Sequence, residues 1–112
     1  MGILSKGSIL AADDIKIKFV DVPEWGGKVG LRVISGTARD KFEACYTEKN
    51  MVNFRVKFLA ASLCGEDGEL LFTDADVEAL GKKSNIVINR LFNEAFAHSA
   101  FTGEAIDELG KD

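Results

Sequence analysis

The sequence runs to 112 residues, the size of one domain, and is 46% hydrophobic and 29% charged, which excludes the apolar-poor, charge-rich composition of a disordered chain. A net charge of −4, from 18 acidic and 14 basic side chains with the lysines scattered, excludes the basic footprint on which nucleic-acid binding rests. No stretch nears the roughly 20 apolar residues of a membrane-crossing helix, and Met1 to Lys6 lack the apolar run of a secretory leader, so Cys45 and Cys64 are expected reduced and packed in a cytoplasmic protein.

Taken in chain order, Ser8 is placed to cap a brief apolar run, Ile9 to Ala12, giving one helical turn or an ordered arm. Ile15, Ile17 and Phe19 then alternate with Lys16 and Lys18, which predicts a half-buried strand from Ile15 to Val22 with the three apolar residues on its buried face. Pro23-Glu24-Trp25-Gly26-Gly27 breaks it, because proline cannot donate to a ladder and glycine accepts turn dihedrals. Val29, Leu31 and Val33 alternate with Gly30 and Arg32, so a second strand returns as a hairpin. Thr37 with Asp40 three residues on resembles a capping box, and Ala38, Phe42 and Cys45 give the following helix an apolar face as far as about Asn50.

Phe54, Val56 and Phe58 alternate with Asn53, Arg55 and Lys57, and the run continues to Cys64. This reads as a long strand buried on both faces in its later half, although Ala60-Ala61 leave a helix open over residues 59–64. Gly65-Glu66-Asp67-Gly68 is a turn, with Leu70 to Phe72 as the short returning strand. Thr73 and Asp76 form a second capping box before Val77 to Leu80, which Gly81 ends. Ser84 caps the longest helix, whose apolar side is drawn from Ile86, Val87, Leu91, Phe92, Ala95 and Phe96, with Asn89, Arg90, Asn93 and Glu94 opposite. Residues 102–112 are expected to be flexible. The order of elements is segregated rather than alternating, so the expected fold is a single α+β domain over residues 1–112: an antiparallel sheet of about four strands with about three helices, the longest near the C-terminus.

Reactive constellations are sparse. The one histidine, His98, lies at a helix end where an imidazole suits the dipole. Two cysteines 19 positions apart and a lone histidine do not supply a zinc clamp, and Asp74, Asp76 and Glu78 lack the glycine and distal glutamate of a calcium loop. Gly26-Gly27-x-x-Gly30 joins two strands, without the helix N-terminus that a phosphate loop needs. Asp13 and Asp14 suit solvation better than acid-base work. No cofactor or metal is expected. Trp25, in a Pro-Glu-Trp-Gly-Gly turn where a ring either plugs a core edge or meets a partner, and the apolar series Phe96, Phe101, Ile106 and Leu109 are the candidate protein-binding residues, weighed against core packing.

Several segments together resemble the tail assembly chaperones of long-tailed, lambda-like bacteriophages with non-contractile tails. They are Ile9-Leu10-Ala11-Ala12-Asp13-Asp14, Val22-Pro23-Glu24-Trp25-Gly26-Gly27, Val29-x-Leu31-Arg32 with Ser35-Gly36-x-x-Arg39-Asp40-x-Phe42-Glu43, the run from Asp67-Gly68 through Phe72-Thr73-Asp74-x-Asp76-Val77-x-x-Leu80, and Lys83-Ser84 with Arg90-Leu91-Phe92. The resemblance implies a non-enzymatic helper, often oligomeric. It would bind the tape measure protein, help recruit major tail tube protein subunits, work in the cytoplasm of the bacterial host and be missing from the mature virion. It also implies a longer form made by a programmed ribosomal frameshift, for which Gly110-Lys111 would be encoded by a slippery heptamer. The alternatives are a virion component such as a head-tail connector subunit, and a small acid-base enzyme using His98 with Asp13 or Asp14.

Overall fold

A computed structural model of the chain describes residues 2–100. Helix α1 spans Lys6–Ala11 and is capped by Ser5, whose side chain accepts the Ser8 N–H at 3.2 Å, so the cap lies three residues before the serine expected from the apolar run. Strand β1, Ile17–Val22, turns through a 3-10 segment, Pro23–Trp25, capped by Gly26 at φ 81°, and returns as β2, Gly27–Arg32. The two pair antiparallel, from Ile17 opposite Arg32 to Val22 opposite Gly27. A third strand of two residues, β3, Leu63–Cys64, pairs antiparallel with β2 and completes the sheet in the order β1-β2-β3.

The alternation of β1 runs in the opposite phase to the expected one. Val22, Leu31 and Leu63 are fully buried and Val20 packs against the same core, while Phe19 is 51% exposed. Residues paired across strands share a face, so Phe19 lies with Gly30 and Cys64, and Ile17 with Arg32, on the outer side of the sheet. Both sides are partly covered, which is why the apolar count misled. Ile17 approaches the turn at Gly68, whose carbonyl accepts from Arg32 at 3.1 Å, and Lys18 on the inner side is held by Glu94 at 2.6 Å.

Helix α2 covers Gly36–Thr47 with Ser35, not Thr37, as its cap: the Ser35 hydroxyl accepts the Ala38 N–H at 3.1 Å. Residues expected to form a long strand instead form helix α3, Phe54–Ala60. Phe54 and Phe58 satisfy a helical i,i+4 pattern as well as a strand's alternation. The burial of Leu59 and Ala60 beside them, with Val56 only half-buried, belongs to the helix. Asn53 starts it at φ 57°, a left-handed conformation that asparagine tolerates. The Gly65 to Gly68 turn forms as read, with Gly68 at φ 84°, but the returning strand is reduced to one bridge between Cys64 and Leu70.

The expected box at Thr73 is present, the Asp76 carboxylate accepting the Thr73 N–H at 2.9 Å, and leads through a 3-10 turn into α4, Val77–Leu80. Helix α5, Asn85–His98, is the longest described element, and Ser84 caps it by accepting the Ile86 N–H at 3.2 Å. It lies against α3 and β2 over a core in which Phe42, Phe54, Phe58 and Phe92 meet ring to ring, Phe42 and Phe58 with centroids 4.9 Å apart. The fold is α+β, with three antiparallel strands in place of four and five α-helices among the described residues.

Candidate functional site

His98 places Nε2 3.1 Å from the Lys16 carbonyl, and Asp13 and Asp14 stand exposed on the segment after α1 with no hydrogen bond to the imidazole. The three do not converge as acid-base chemistry would need. Among the described residues no group of three His, Cys, Asp or Glu side chains is gathered as a metal set. Cys45 is half-buried and Cys64 buried, both as free thiols, and burial pushes the Cys64 thiol up despite the nearby Arg32. No helix among the described residues is long and apolar enough to cross a membrane.

Trp25 is half-buried against the core, and its turn is tied to α5 by Glu24, which accepts from both Nη atoms of Arg90 at 2.8 Å. Those hydrogen bonds hold the Glu24 carboxyl down at about 2. Phe96 is half-buried in the aromatic cluster, 4.8 Å from Phe92 by ring centroids. Phe101, Ile106 and Leu109 lie outside the described residues.

Two open grooves flank α3. The first, about 920 Å³, lies between α3 and the N-terminal half of α5 and is also lined by Tyr46 and Met51. Phe54, Val56 and Phe92 form its apolar floor. One wall is a stripe of α5 at i, i+3, i+4 and i+7: Ile86, Asn89, Arg90 and Asn93. Ile86 was expected on the buried side with Val87, yet it is 72% exposed while Val87 is 3% exposed. The buried arc of α5 is made by Val87, Ile88, Leu91, Phe92 and Ala95, and at about 100° per residue Ile86 falls on the opposite side of the helix. Three cations, Arg55, Lys83 and Arg90, line this groove, and its lining contains no aspartate or glutamate.

The second groove runs between α2, α3 and the 70–74 segment, over Ala38, Phe42, Ala60, Ala61, Leu70 and Phe72. Lys41, Lys57 and Asp74 stand at its rim. Neither groove contains Trp25 or Phe96. The sequence signal for the first was an exposed isoleucine on an otherwise asparagine- and arginine-bearing helix stripe, which helical phase identifies once the cap at Ser84 is fixed.

Open apolar grooves on a small helix-on-sheet fold suit binding another polypeptide, and comparison with known proteins agrees. A family model described as phage tail assembly chaperone matches residues 6–111. The chain belongs to that family. The solved structure of the bacteriophage HK97 tail assembly chaperone superposes with a TM-score of 0.62 at 28% identity, covering 81% of this chain and 89% of that one. Among curated proteins none matches significantly. Membership in a family of assembly chaperones suits a molecule in which Ser5, Ser35, Thr73 and Ser84 serve as helix caps and Lys18 and Arg90 are held in surface ion pairs. It places the function in virion morphogenesis rather than in catalysis.

Proposed function

We propose that this tail assembly chaperone binds the tape measure protein, shields its apolar stretches, and helps recruit major tail tube protein subunits around it. The observation that carries the reading is the family match across residues 6–111. The grooves beside α3 support it physically, because a long helical partner with apolar faces needs a complementary surface to stay soluble. Trp25 and Phe96, each partly exposed, with Phe101, Ile106 and Leu109, are proposed to extend that contact. The chaperone acts as a homo-oligomer in the host cytoplasm and leaves before the virion matures. A frameshifted longer form would join a second segment near Gly110-Lys111.

Co-expression with the tape measure protein of the same phage tests the central claim: the soluble yield of the tape measure protein rises and the two co-purify. An unchanged yield with no co-purification overturns the assignment of that partner. Recovery of the chain from mature particles would favour a virion component instead.

A further inference from the structure

We propose that the groove between α3 and α5 takes an amphipathic helix of the partner whose polar flank carries carboxylates. The proposal rests on the chaperone reading for the partner's identity, but its chemistry is read from the groove itself. In a chain of net charge −4, this surface reverses the sign of the molecule: Arg55, Lys83 and Arg90 line it without one carboxylate among them. Arg90 is engaged by Glu24, whereas Arg55 and Lys83 form no ion pair among the described residues. Arg55 instead lies over the Phe92 ring, 5.7 Å from its centroid, where its charge remains available to an incoming anion.

The apolar part has the dimensions of a helix contact. From Ile86 to Asn93 the α5 stripe advances about 10 Å, two turns, which matches a docked helix presenting residues at i, i+3, i+4 and i+7. Met51, 40% exposed, and Ile86, 72% exposed, line the groove with apolar surface open to solvent, which the apolar face of such a helix would cover. Asn85, Asn89 and Asn93 follow one another at single turns along α5 and offer amide donors and acceptors to its polar flank. Helix α1 of a second copy, Lys6–Ala11, is a poorer occupant, since it contains a lysine and no carboxylate.

The test uses the full chain and two fluorescein-labelled 18-residue helical peptides with identical leucine faces, one flanked by glutamates and the other by lysines. Anisotropy titrations at low salt should give the glutamate peptide about tenfold or more tighter binding, a preference that shrinks as ionic strength rises. In Arg55→Glu/Lys83→Glu the preference disappears or reverses, in the milder Arg55→Gln/Lys83→Gln it narrows, and Ile86→Asp weakens both peptides. Circular dichroism confirms that each variant is folded. Equal binding of the two peptides, or a preference untouched by the charge variants, overturns the proposal, as does concentration-dependent self-association that the same variants abolish. Co-purification separates it from the broader reading. If the tape measure protein is retained equally by the wild type and by Arg55→Glu/Lys83→Glu, the groove assignment fails and the chaperone stands. If the peptide selectivity holds but the wild type never retains the tape measure protein, the assigned partner fails and the groove chemistry stands.

Discussion

A β-carbon added at Gly30 would sit 2.7 Å from Cys64 Sγ and 3.0 Å from the Cys64 carbonyl, with Ile17 at 3.3 Å, so β2 and β3 can approach only because this position has no side chain. Gly30→Ala should therefore destabilise the fold by roughly 1–3 kcal/mol, the usual cost of overpacking. Gly27, where the same added atom meets nothing within 4 Å, should accept alanine without that penalty. Urea denaturation of the two variants measures the contrast. The Glu24–Arg90 pair is of a different kind, exposed and bidentate. Because its partner lowers the folded pKa of Glu24 from 4.5 to about 2, the pair's contribution is present above pH 4.5 and is lost as the pH falls through that window. Glu24→Gln should flatten the acid limb of a stability-versus-pH curve between those two values and leave the slope above pH 5 unchanged. An acid limb identical to the wild type's would show that the pair is not coupled to folding.

At the scale of elements, α3 decides how much of the core is shared between the sheet and α5. Phe58 is fully buried within contact of Phe42 and Phe92, whereas Val56 is half-buried, so Phe58→Ala should cost about 3–5 kcal/mol and Val56→Ala about 1 kcal/mol or less. A strand presenting residues 54, 56 and 58 to one buried side would raise the Val56→Ala cost to about 2 kcal/mol or more, and thermal denaturation of both variants distinguishes the cases. The same segment shows where the sequence was legible and where it was not. The hairpin, the Asp-Gly turn, the Thr73 box and the cap at Ser84 each depend on a few neighbouring residues with local geometry of their own, and all formed where read. The α3 pattern carried two periods at once, since phenylalanines at 54 and 58 fit both, and only tertiary burial of Leu59 chose between them. The phase of β1 was lost for a related reason: Val20 and Val22 pack on the core beside Leu31 and Leu63, which carries Lys18 to the same side, where Glu94 of α5 meets it, and alternation cannot encode those long-range contacts. At the groove, cations and asparagines were read as a solvated helix side, and their convergence with Arg55 and Lys83 required the packing of α3 against α5.

For the whole molecule, the division is between a core closed by β1 to α5 and a segment ahead of it that contributes nothing to that core. Helix α1 buries no residue, and Ile3, Leu4, Ile9 and Leu10 are between 57% and 103% exposed. Six residues are too few for a helix to persist in water without tertiary contacts, since nucleation is costly and each added bond returns little. Two consequences follow from that separation. Deleting residues 2–12 should leave the unfolding midpoint within about 2 °C of the full chain, because no buried apolar surface is removed. By hydrogen exchange, the amides of α1 should exchange close to the rate of an unstructured peptide while those of Leu91 and Phe92, in the core of α5, are protected to the level of global unfolding. Marked protection in α1, accompanied by a lowered midpoint on deletion, would mean that its aliphatic side chains are covered in solution. Concentration dependence of that protection would then distinguish a covering surface on another copy from one on the same chain.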